Sequence, residues 1–166
     1  MKAQADLIAG GSGSPAFEVT VYGTPQPAGS KKAFPFKGRD GRLHTSVTDA
    51  NKKSAPWKTQ VAQACGQALP EGYVLLRGPL DMTVTFFRAR PKGHLGAHGI
   101  ARPSAPAYPI TRPDALKLAR GVEDAMSGVV YSDDSIIVDE HLHKRYGEPE
   151  RVEIVILTLP EKVKDL

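Results

Sequence analysis

The sequence predicts an α+β domain, a small mixed β-sheet with two main helices against it. Three observations carry this. Apart from one short aromatic run, four segments read as strands, and two others place apolar residues at helical spacing. The order strand, helix, strand, long loop, helix, strand, strand shows no internal repeat. A chain of 166 residues suits one domain with one real core.

Residues 1–15 are small, Gly/Ser-rich and aperiodic, and read as a flexible tail preceding a domain over residues 16–166. Phe17-Glu-Val-Thr-Val-Tyr22 alternates apolar and polar residues, as a half-buried strand does, and the turn-rich run Gly23 to Gly29 ends it. Residues 31–53 read as a one-signed basic loop interleaved with Phe34, Phe36 and His44, a composition that suits nucleic-acid contact. Ser54-Ala-Pro56 supplies a helix cap and an early proline, and Trp57, Val61, Ala64 and Ala68 follow on one side. Trp57 reads as a core anchor and Cys65 as a small buried apolar residue. In residues 80–86, Leu80, Met82, Val84 and Phe86 face one way, and Asp81, Thr83 and Thr85 the other.

Residues 88–112 form a long connection rich in proline, glycine and cations, of a length that is usually functional. His94 and His98 stand four apart, but the prolines and glycines around them argue against a helix and a zinc site. A helix follows Pro113, with Ala115, Leu118, Val122, Ala125 and Met126 as its apolar stripe. A short aromatic strand ending at Tyr131 comes next, then Asp133 and Asp134. Residues 136–144 and 151–159 read as the last strands, joined by a Gly-Glu-Pro turn. His141 and His143 would share a strand face and read as a polar surface.

A formal charge of +4 suits a polyanionic partner. The lone cysteine excludes an internal disulfide, and residues 1–15 lack the apolar run of a signal peptide. No stretch has the apolar length of a membrane span. Together these point to a soluble protein of a reducing compartment.

The segment from Arg112 to Asp134 concentrates the chemistry. Asp114 begins the helix, where a carboxylate is favoured as a cap and by the dipole. If the helix folds back, Asp114 could meet Asp133 and Asp134, with Lys117 and Arg120 beside them. Convergent carboxylates flanked by cations are what a metal-dependent phosphodiester cleaver needs. Leu116, Arg120, Glu123 and Ser127 cluster on a different, mostly polar side of the helix.

Pro113-Asp114, Lys117-Leu118, Arg120, Asp124-Ala125, Gly128, Tyr131 and Asp133-Asp134 resemble the signature of the RusA family of Holliday junction resolvases, found in bacteria, prophages and phages. Val21-Tyr-Gly-Thr-Pro-Gln-Pro27 resembles the family's opening strand and proline turn, and Arg145-Tyr-Gly-Glu-Pro149 its late strand connection. The resemblance spans residues 17–159. It implies a RusA-like fold and a crossover junction endodeoxyribonuclease that uses magnesium, with manganese as a substitute. It also implies branched DNA as substrate, a homodimer, and the cytoplasm of a bacterium or phage-infected host.

By the resemblance, Asp114 matches the first metal-binding aspartate and Asp134 the required aspartate of the double-acid motif, with Asp133 beside it as a further ligand. Arg120 falls at the position of the family's catalytic lysine or arginine, and Asp124 matches a helix acid. Lys31, Lys32, Lys37, Arg39, Arg42, Arg88, Arg90, Lys92, Arg112 and Lys117 are the expected DNA contacts. The family's second aspartate would stand at position 116, where this chain has Leu116. Leucine cannot ligate a cation, and Glu123 lies two turns further, about 10 Å along the axis, too far to replace it simply. Asp139 or Glu140 could swing in from the next strand. Leu116 leaves open a binding-only protein of the same fold, and the basic aromatic segments leave open a small RNA-binding module.

Overall fold

The computed structural model describes residues 14–29, 31–49 and 51–162; most of the expected tail, residues 1–13, lies outside them. In chain order the elements are β1 (Phe17–Tyr22), β2 (Lys31–Lys37), β3 (Leu43–Asp49), α1 (Ser54–Ala68), β4 (Leu80–Arg88), α2 (Ala115–Met126), β5 (Ile137–Tyr146) and β6 (Arg151–Thr158). The main sheet runs β1-β6-β4-β5, with β4 and β5 parallel and the other pairs antiparallel. This is the mixed sheet with two helices that the sequence predicts.

Register explains the core. Phe17, Ile156 and Met82 stand abreast, as do Val19, Ile154 and Val84, and then Val21, Val152 and Phe86. Apart from Val19, which is partly buried, each of these is buried. Burying one such side chain stabilises the fold by about 1.5–3 kcal/mol, so these rows dominate over strand propensity. Trp57, Val61 and Cys65 pack down from α1, and Leu118, Ala119, Val122, Ala125 and Met126 from α2. Burial pushes the Cys65 thiol up to about 11, so it packs as an inert apolar group. Ser54, expected as a cap, is instead a buried first residue of α1, and the cap position falls to Lys53.

Two local expectations are corrected. Within the presumed basic loop, residues 31–49 form a second sheet, in which β2 pairs with β3 around a turn containing Gly41 at φ 74°. The aromatic strand before Asp133 is instead a tight turn. Gly128, at φ 75°, donates to the Tyr131 carbonyl at 2.8 Å, and Leu76 brackets the segment through bonds to Val130 and Ser132. Residues 88–112 are folded rather than slack: Arg90 donates to the Pro106 carbonyl at 2.8 Å and Arg102 to that of Leu95 at 3.0 Å.

Candidate active site

Helix α2 positions the site because its buried stripe leaves one rotational choice. With Leu118, Val122 and Met126 turned into the core, Glu123 is left half-buried at the rim and Arg120 exposed one turn before it on the same side. Backbone contacts fix the helix further. Ala28 donates to the Lys117 carbonyl at 2.7 Å, and the Gln26 carbonyl lies 3.4 Å from where a Cβ on Gly121 would stand. At the other end, the fully buried Tyr131 donates its hydroxyl to the Glu123 backbone carbonyl at 3.1 Å.

Strand β5 brings the second acid. Its register sets Glu140 beside Met82 and Leu142 beside Val84, so Glu140 belongs to the helix-facing side of the sheet. β5 is an edge strand, which leaves that carboxylate open to water opposite α2. The third acid comes from the turn after Tyr131. Asp133 accepts a bond from the Ser135 N–H at 2.9 Å, and hydrogen bonding by Ser135, its side chain first and then this N–H, holds the Asp133 carboxyl below the ordinary range. Asp134 follows in the turn so capped. Glu123, Asp134 and Glu140 line one pocket of ≈ 330 Å³ with Ser135, Ile137 and Val138.

The electrostatics of this pocket are distinctive. Glu123 is raised from 4.5 to about 7, first by burial, then by its hydrogen bond with Glu140 and the charges of Glu140, Asp134 and Asp124. A carboxyl that resists ionisation beside two others signals a site short of positive charge. The oxygen-only donor set suits a hard cation such as magnesium, which keeps several waters and uses one or two carboxylates. Among the described residues, no group of three acid, histidine or cysteine side chains is placed to hold a metal ion. One or two of these carboxylates with water would suit such an ion.

The acids grouped by the sequence reading are separated. Asp134 lies in the acidic pocket. Asp133 is turned back to Ser135, and Asp114 lines a second pocket of ≈ 390 Å³ with Arg88, Arg112, Lys117 and the proline turn 25–29. Asp114 occupies the N-cap position of α2 without making a side-chain cap bond, and stands 3.6 Å from Lys117 Nζ. Asp124 pairs with Lys58 across the two helices. Leu116 is 71% exposed.

The expected DNA contacts divide by surroundings. Lys37, Arg39, Arg42, Lys92 and Arg112 are exposed; Lys31 and Lys32 lie on β2. Arg88 is paired with Glu150 at 2.9 Å, and Arg90 lies 4.1 Å over the Tyr146 ring. His141 pairs with Asp81 at 3.3 Å, across the sheet from the pocket. Glu123, which distance from position 116 had set aside, and Glu140 are the acids that sequence reasoning underweighted. The available signal was period-two alternation, which puts Glu140 on the same side of its strand as Leu142.

Comparison with known proteins agrees with the fold. The family model described as endodeoxyribonuclease RusA matches residues 24–157. The chain is also 33% identical over 145 residues to the Bacillus subtilis (strain 168) protein described as "Uncharacterized protein YqaN", covering 82% of this chain and 92% of that one. No helix among the described residues is long and apolar enough to cross a membrane. The chain belongs to the RusA family of endodeoxyribonucleases, the Holliday junction resolvases.

Proposed function

We propose that this protein is a magnesium-dependent endonuclease that resolves four-way DNA junctions by paired nicks, acting as a homodimer in a bacterial or phage-infected cytoplasm. The observation that carries the proposal is the pocket that Glu123, Asp134 and Glu140 line, one helical turn from Arg120, in a chain of this family.

In this reading Asp134 and Glu140 would hold the ion, and Glu123, once ionised, would add negative charge beside it. Such an ion supplies an activated water and charge neutralisation at the scissile phosphate. Asp133 fixes the turn that presents Asp134. Arg120 offers permanent charge to the phosphoryl oxygens as negative charge builds on them. Asp114 orients Lys117 at the far end of the helix, where Arg112 and Lys117 take the backbone of the bound strand. Two-fold symmetry in the dimer matches the near two-fold symmetry of a junction and gives two equivalent cuts.

A second reading, a junction-binding protein with weakened chemistry, is favoured by Leu116, an exposed apolar residue where the family places an acid. Asp134→Asn separates the two. We expect it to abolish magnesium-dependent junction cleavage and to leave junction affinity within about threefold. Normal cutting by the variant would remove Asp134 from the chemistry. An uncut junction with the unaltered protein, in magnesium or manganese, would favour the binding-only reading.

A further inference from the structure

Among the residues whose burial is described, the ribbon of β2 and β3 contributes none to the core. From 33 to 46 every residue is exposed except Gly38, which is half-buried. A two-stranded ribbon alone in water is marginal, and its side chains gain most when another surface covers them. The register places Phe36 opposite His44 and Phe34 opposite Ser46, so Phe34, Phe36 and His44 share one face. Phe36 stacks on His44 with ring centroids 5.6 Å apart at 27°, and Asp40 steadies the imidazole at 3.0 Å. Phe34 and Phe36 remain 54% and 51% exposed.

The end of the ribbon carries the complementary charge. Lys37, Arg39 and Arg42 are exposed there, and Asp40, the acid between them, is engaged with His44. An aromatic face beside a cationic tip fits single-stranded nucleic acid, in which bases stack on flat rings and phosphates meet cations. A second copy of the chain fits less well, because two such tips brought together repel.

We propose that the ribbon is a base-stacking arm. Phe34 and Phe36 receive bases unstacked at the branch centre of the DNA, and Lys37, Arg39 and Arg42 hold the adjoining phosphates. The inference rests on the junction-cleaving reading for its substrate, and adds a recognition surface separate from the acidic pocket.

The test uses the full chain, in chelator, with 2-aminopurine placed either at the centre of a four-way junction or within a linear duplex. Binding should raise the fluorescence of the junction probe and leave the duplex probe unchanged. Phe34→Ala with Phe36→Ala should abolish the rise and weaken junction affinity by about ten- to a hundredfold. Duplex affinity and melting temperature should hold, since both side chains are exposed; Phe36→Tyr should keep the signal. Junction binding with no fluorescence change, equal in the double variant, would overturn the arm and leave the junction reading intact. If the unaltered protein failed to prefer the junction at all, the junction reading would fall and the arm with it. Dissociation of a dimer by the double variant would assign the face to a second copy and likewise overturn the proposal.

Discussion

Replacing Glu123 with glutamine should stabilise the metal-free protein at alkaline pH. Glutamine keeps the shape and can donate to Glu140, as the protonated acid does, but it cannot ionise. Raising the Glu123 carboxyl from 4.5 to about 7 corresponds to about 3.4 kcal/mol at 1.36 kcal/mol per pH unit. Glu123 is only half-buried, so solvent screening reduces this to roughly 1.5–2 kcal/mol. A group raised on folding stabilises the native state fully below its unfolded value. That stability is lost as pH climbs through the folded value, here between 4.5 and about 7. The advantage of Glu123→Gln over the unaltered chain should therefore be small at pH 4.5 and near its full size at pH 8.5. For a chain of this size it amounts to roughly 4–6 °C in melting temperature. Thermal unfolding followed by circular dichroism in chelator, at both pH values, gives the double difference. An equal effect at the two pH values, or destabilisation at pH 8.5, would refute the account of the pocket. Adding magnesium at pH 8.5 should raise the melting temperature of the unaltered protein more than that of the variant.

Other substitutions probe separate parts of the account. Asp114→Asn releases Lys117 and should weaken junction affinity by less than about tenfold while leaving the cleavage rate of the bound junction unchanged, read on a labelled junction; lost cutting with unchanged binding would place Asp114 in the chemistry. Leu116→Asp places an acid in a first turn that has none, and should add about 0.3–1 kcal/mol of stability through the helix dipole, measured by urea unfolding. If position 116 also serves the chemistry, the same variant raises the cleavage rate. Tyr131→Phe removes the hydroxyl that holds the Glu123 carbonyl and should cost about 1–2 kcal/mol in the same assay.

Much of this fold could be read from the sequence because its strands obey period two around one apolar side. The rows containing Met82, Val84 and Phe86 are visible in residues 80–86 alone, and the stripe of α2 follows from 100° steps. The β2–β3 ribbon was obscured because residues 33–46 bury almost nothing. Its alternation is broken by lysines and Pro35, and its best signal was the Asp40-Gly41 turn. The acids of the site were legible as residue types, but their grouping was not. Spacing along α2 measures how far Glu123 lies from Leu116, whereas the useful distance runs across to β5 and the Asp134 turn. That distance depends on the parallel pairing of β4 with β5, a long-range contact that no local pattern encodes. The segregation of Asp114 among cations has the same origin, since Arg88 and the proline turn reach that pocket from distant parts of the chain.

The most direct test of the central claim is cleavage of a synthetic four-way junction beside a matched linear duplex, each with magnesium and with chelator, resolved at single-nucleotide length. The account predicts symmetric paired nicks on the junction, only with the metal present, and an intact duplex. Metal-independent cutting, or equal cutting of the duplex, would contradict it.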